Sequence, residues 1–183
     1  MGTSFTTESE GFGDVRFSGN IKLYEKKERS ILFNAGVSIP TGSVNERDDT
    51  PAGSNQKLPY PMQLGSGTFD LMPGITYTEK KNNFSWGSQA NLVIRLGENS
   101  ENYTLGNRAS LTAWTAYDVN RYITTSIRVD ASAWEDIDGA DAELNPNMVP
   151  TARTDLRDGT RVDLLYGINF HQPSGKLKGH SIL

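Results

Sequence analysis

LPYPMQLGSGTFDLMPGITY, residues 58–77, holds the fold in miniature. Its first four residues cannot extend a sheet, because Pro59 and Pro61 lack a ladder donor and each restrains the residue before it. Gly65-Ser66-Gly67 then releases the backbone. Beyond it, Phe69, Leu71, Ile75 and Tyr77 fall on one side of a period-two pattern, with Thr68, Asp70, Met72 and Thr76 on the other. Such alternation is a strand with one apolar and one polar face. Pro73, inside that strand, predicts a bulge or locally open pairing. A stiff loop feeds a two-faced strand, and the rest of the chain repeats the arrangement.

Towards the N-terminus, residues 1–13 form a small, polar lead-in. Val15, Phe17, Ile21 and Leu23 then oppose Arg16, Ser18, Asn20 and Lys22, and after a polar turn Ile31, Phe33, Ala35, Val37 and Ile39 continue the alternation. Towards the C-terminus, Phe84, Trp86, Ala90, Leu92, Ile94 and Leu96 share a face. So do Ala109, Leu111, Ala113 and Tyr117; then Ile123, Ile127, Val129, Ala131 and Ala133; then Val162, Leu164, Tyr166, Ile168 and Phe170. The chain reaches Ser181-Ile182-Leu183 only at the start of a further strand. No helix is expected.

Connections alternate in length. Residues 25–29, 79–83 and 118–121 are short, 97–103 is medium, and 43–66 and 135–159 are long. Aromatics gather beside the short turns, at Tyr24, Tyr77, Phe84, Trp86, Tyr117, Tyr122 and Phe170. Strands of about 9–11 residues, short turns at one end, long loops at the other and an aromatic girdle describe an antiparallel, up-and-down transmembrane β-barrel. A soluble sandwich or ligand-binding barrel shares the alternation and stays open.

Composition narrows the classes. The chain has 183 residues, a formal charge of −4, 36% hydrophobic residues and no cysteine. It reads as a single domain, with neither disulfides nor thiolate metal sites. Mean hydropathy is −0.52, and no apolar run nears the roughly 20 residues of a membrane helix. The acidic balance argues against a nucleic-acid partner. MGTSFTTESE lacks the basic and apolar regions of a secretory leader, so a leader is expected to be missing from this sequence. Seven good strands and a stub predict a piece of a larger barrel.

The chain resembles the outer-membrane β-barrel transporters of Gram-negative bacteria grouped as the phenol-degradation meta-pathway (MetA-pathway) family. The resemblance rests on SIPTGS at 38–43, NERDDTPAG at 45–53, the 58–77 stretch, RLGEN at 95–99 and DIDGADAELNP at 136–146. It covers nearly the whole chain. It implies a bacterial outer-membrane location, contact with membrane lipid, and uptake of small hydrophobic or aromatic solutes. It supplies no catalytic or binding residues to carry over.

If the apolar faces meet lipid, the opposite faces line an interior. Arg16, Asp70, Gln89, Arg95, Arg108, Trp114, Arg128, Asp130, Arg161 and Asp163 are then the lumen-lining candidates. They form either a polar passage biased towards anions or a set of mutual ion pairs that plugs the barrel. Trp134 also falls on this face, unless the register changes at its strand end. Tyr60, Met62 and Leu64 give the 58–67 loop apolar side chains, which suits a lid folded over the lumen or a segment packed on the rim. Gly65 and Gly67 are expected to make its return into the strand flexible, and Arg95 or Arg108 to meet its carbonyls. Asp136, Asp138 and Asp141 have hard oxygen ligands at a spacing suited to Ca²⁺, although a solvated acidic loop fits as well.

His171 and His180 flank the last turn, and neither a nucleophile elbow nor a phosphate loop is present, so neither an enzyme nor a cofactor is expected. The two leading functional readings are a solute-passing outer-membrane barrel and a plugged structural or surface-interaction barrel. A soluble β-sheet ligand-binding protein is the third.

Overall fold

Alternating residues build one long antiparallel meander. The structure is a computed structural model that describes residues 6–51, 53–171 and 181–182. The principal strands are β1 (Val15–Lys26), β2 (Arg29–Ile39), β5 (Phe69–Leu71) continued by β6 (Gly74–Lys81), β7 (Phe84–Leu96), β9 (Arg108–Asp118), β10 (Ile123–Trp134) and β12 (Gly159–His171). Each pairs antiparallel with its neighbour in sequence, and β13 (Ser181–Ile182) adds a short pairing to the end of β12. Short strands fill the long loops: β3 (Arg47–Thr50) with β4 (Gly53–Lys57), and β8 (Tyr103–Thr104) with β11 (Asp138–Gly139). The chain is all-β, apart from brief 3₁₀ turns. Among the described residues β1 pairs with β2 alone, and β1 and β13 form the two ends of the sheet.

The short connections sit together at one end. Lys27-Glu28 and Asn82-Asn83 are two-residue turns, with Lys27 at φ 51 and Asn82 at φ 54. Left-handed backbone at the first turn residue matches the twist of the flanking strands. The long connections, 40–68, 97–107 and 135–158, meet at the other end.

Register carries sidedness across every strand. Ile21, Phe33, Ile75, Ala90, Leu111, Ala131 and Val162 form one continuous row across seven strands. One residue earlier on β2, the row Lys22, Leu32, Thr76, Gln89, Thr112, Asp130 and Asp163 lies on the opposite face. The apolar face is the bare one: Phe17 is 59% exposed, Leu111 55% and Leu164 76%. The polar face is covered in part, with Ser38 at 0% and Asp70 at 1%, while Arg16 and Arg128 on it stay exposed. Thr76 and Ser132 are also buried there. That is the inverse of the usual arrangement of a soluble sheet.

Pro73 opens the pairing without a bulge. Val37↔Leu71 and Asn34↔Gly74 keep one register with β2, as do Leu71↔Ile94 and Gly74↔Asn91 with β7. The Pro73 carbonyl still accepts from Leu92 N–H at 2.9 Å, and only the donor that proline lacks is lost.

Both inward tryptophans rest on cross-strand glycines. Trp114 pairs with Gly87, and Trp134 with Gly159. Register is unbroken to the end of β10, so Trp134 stays on the polar side. A Cβ on Gly87 would stand 2.5 Å from the Trp114 ring and 2.6 Å from the Tyr77 carbonyl oxygen. Gly87→Ala is therefore expected to destabilise the sheet by about 1–3 kcal/mol through overpacking. Gly19→Ala, where nothing lies within 4 Å, is expected to be neutral or slightly stabilising. Chemical denaturation of the two variants checks the contrast.

Candidate functional site: the capped end of the polar face

The long loops fold into a cap with its own small core. Tyr60 begins a 3₁₀ turn (Tyr60–Met62) set up by the flanking prolines, and its ring meets Tyr103 edge-on at 4.8 Å. Ile137 completes the buried cluster, and Leu105 and Leu144 pack against it. Leu58 is fully buried beside it in sequence. Tyr103 and Leu58 are the most completely hidden apolar side chains among the described residues. Burial pushes the Tyr103 hydroxyl up to about 12 and raises that of Tyr60.

A buried ion cluster ties the cap together. Lys57, at the end of β4, places its Nζ 3.0 Å from Asp141 and 3.2 Å from Glu101, and donates to Asn45 Oδ1 at 3.0 Å. Asp141 N–H in turn donates to Tyr60 Oη at 3.1 Å. Arg47 pairs with Glu143. Residues distant in sequence are thus held at one point, where stripping away a partner leaves a buried charge uncompensated.

Asp14 and Asp70 fasten the cap to the sheet. Asp14 accepts from Gly42 N–H at 3.0 Å, and from Ser66 N–H and Oγ at 2.8 and 2.9 Å. Asp70 accepts from Thr68 Oγ1 at 2.8 Å and pairs with Arg95. Asn99 donates to the Ser66 carbonyl at 3.2 Å. The expected flexible return at Gly65 and Gly67 is not what forms. Gly65 is there for close approach, since a Cβ would stand 2.6 Å from the Asp14 carboxylate, and Gly67 for a left-handed turn at φ +70. Nor does Arg95 meet loop carbonyls: its guanidinium goes to Asp70.

The loop residues divide between two places. Tyr60 and Pro61 line a cavity of about 450 Å³ together with Arg95, Arg108, Trp134 and Arg161 from the polar face. The loop therefore reaches inward at that point. Leu64 instead lies against the lead-in, where a Cβ on Gly11 would stand 2.7 Å from its Cδ1. Met62 is half-buried outside the cavity lining. The lead-in is anchored too, with Glu8 N–H donating to Asp48 at 2.7 Å. That bond and the Asp49 N–H hold the Asp48 carboxyl below the usual range.

The polar-face candidates are partly paired. Arg161 meets Asp163 at 2.7 Å, and Asp130 accepts from Thr112 at 2.5 Å. Arg108 lies over the Trp134 ring at 5.6 Å. Arg16 and Arg128 are exposed, with no ion pair among the described residues, and Gln89 and Trp114 are half-buried inward. The neighbouring ladder joins Asn34 to Asn20 at 2.6 Å and Thr76 to Asn34 at 2.9 Å.

The Ca²⁺ candidate does not assemble. Asp136 turns back to accept from Arg157 and Asp158 N–H at 2.8 Å, Asp138 is exposed, and Asp141 is taken by Lys57. The carboxylates that do converge are Glu101, Asp141 and Glu143, within 4.8 Å of one another. Lys57 already pairs with two of them and Arg47 with the third. Sequence reasoning missed Lys57, whose setting in a polar loop gives no local sign of burial. His171 Nε2 meets Thr124 at 2.9 Å at the short-turn end, and His180 lies outside the described residues.

An antiparallel all-β chain, bare on its apolar side and capped over its polar side, is the class that these features define. The chain belongs to the family described as "Putative MetA-pathway of phenol degradation", whose model matches residues 1–171. No curated protein shows significant similarity to it.

Lys57→Met is expected to cost about 3–5 kcal/mol by stranding Asp141, and Lys57→Met with Asp141→Leu clearly less. Denaturation of both variants measures this. A second outcome concerns alkali. An unfolded tyrosine ionises near about 10, so the raised Tyr103 contributes stability fully below that pH and loses it as pH climbs towards its folded value. Tyrosinate absorbance during an alkaline titration should show the cap opening in that window, and Tyr103→Phe should remove part of the dependence.

Proposed function

We propose that this chain forms the wall of an outer-membrane β-barrel in Gram-negative bacteria, seated in lipid, and that it passes or binds small solutes. The observation that supports the reading is the uncharged apolar row that crosses seven strands, with Ile21, Ile75, Leu111 and Val162 exposed and Phe33 and Ala131 half-buried, opposite a polar row. Water is a poor neighbour for such a surface, since soluble monomers rarely expose apolar patches above a few hundred Å². Hydrocarbon is a good one. β7 and β12 each span 13 residues. At about 3.3 Å per residue and a tilt of about 45°, such a strand crosses roughly 30 Å, enough for the apolar band of a membrane barrel.

The aromatics fit the same seating. Tyr77 and Trp86 pack at 5.0 Å near the short turns, where amphipathic rings suit a headgroup interface. The long loops would face outside the cell and the short turns the periplasm. The family's description ties the chain to phenol degradation, which favours small aromatic solutes. A plugged barrel is the second reading, favoured by the pinned cap and the Arg95–Asp70 pair.

Leu92→Arg or Ile127→Arg, on the bare face, is expected to cost about 2–4 kcal/mol when folding is measured in lipid vesicles. Gln89→Arg or Ser126→Arg, on the polar face, should cost less. Equal losses would overturn the lipid seating, and bilayer conductance of the folded protein separates a passage from a plug.

A further inference from the structure

We infer that the cavity beneath the cap binds a small organic carboxylate with a flat apolar body; the inference rests on the proposed solute-handling role and names the solute class. The cavity, about 450 Å³, has two chemically different sides. Tyr60, Pro61, Leu105, Trp134 and Ile137 supply an apolar side. Four arginines supply the other, and their commitments differ.

Arg95 is engaged by Asp70, and Arg161 by Asp163. Arg108 and Arg157 make no ion pair among the described residues. Arg108 stacks over Trp134, and the interactions of Arg157 run through its backbone N–H to Asp136. The one carboxylate in the lining, Glu135, turns to Asn107, accepting from its Nδ2 at 2.8 Å and its N–H at 3.3 Å. Two guanidinium groups thus stand in a shared recess with no ion pair of their own, against the single carboxylate of Glu135. A planar guanidinium offers paired N–H donors that match a carboxylate's two oxygens, so two of them beside each other favour a carboxylate over a point anion.

The apolar side decides what else the anion must carry. Trp134 is fixed in place, because Gly159 leaves the room its indole occupies. A chloride or phosphate would leave the half-buried Trp134 ring and Leu105 uncovered, whereas a neutral phenol would leave the guanidinium groups unused. A ring bearing a carboxylate satisfies both sides, and a volume of this order is typical of small-molecule sites.

The test is direct binding to the full chain folded in detergent micelles, with benzoate, phenol and chloride as probes, followed by calorimetry and tryptophan fluorescence. Benzoate should bind saturably, and phenol about tenfold or more weakly. R108Q with R157Q should weaken benzoate by about tenfold or more while the circular dichroism of the sheet is unchanged. K26Q, at the opposite end of β1, should leave binding unchanged. Benzoate binding equally well to the double variant, phenol matching benzoate, or chloride displacing benzoate at equal concentration would overturn the proposal. Because the assay needs neither a bilayer nor transport, its failure beside an intact contrast between Leu92→Arg and Gln89→Arg would remove the carboxylate site alone.

Discussion

A wide, uncharged surface is stable only where it is kept from water, and the proposed lipid seating does this for the bare apolar face of the sheet. Each strand contributes to it through the same period of two, and pairing register aligns the contributions into rows such as Ile21 to Val162. Because the parity is shared, a one-residue slip in any strand would turn its polar set outward. In the proposed lipid seating, register is therefore fixed by the surroundings as well as by hydrogen bonds. Pro73 illustrates the tolerance: it removes one donor and leaves the alignment on both sides intact.

With the sheet's apolar groups turned outward, the buried apolar core has to be found elsewhere. It lies in the cap, where Tyr60, Tyr103 and Ile137 cluster above the polar face, locked by Lys57 and Asp141. Asp14 and Asp70 connect this cap to the strands below. Ordering the loops over the polar side in this way creates the recess that holds Arg108, Arg157 and Trp134. Structure and candidate site are thus one construction: the same contacts that stiffen the loops shape the cavity.

The strands were legible in the sequence because alternation is local. Leu92, Ile94 and Leu96 declare a face without reference to any other part of the chain. Inward placement of Arg95, Arg108, Trp114 and Asp130 follows from the same parity. What stayed hidden depends on distant partners. Trp134, beside a loop, needed its pairing with Gly159 to establish its side. Lys57 looks like any polar loop residue until Asp141, far along the chain, closes on it. Asp136, Asp138 and Asp141 suggested a shared ligand set by spacing, yet the local turn sends them in different directions. Gly65 and Gly67 read as flexible, because nothing nearby in sequence reveals that Asp14 packs against one of them.

The most direct measurement is fluorescence quenching by lipids brominated along their acyl chains. The chain has three tryptophans, which would first be replaced by Phe. One new tryptophan would then be placed at Leu111 in one protein and at Thr112 in another, adjacent residues on opposite faces of β9. Seating in lipid predicts strong quenching at 111 and little at 112. Equal quenching at the two positions, or none at 111, would contradict it.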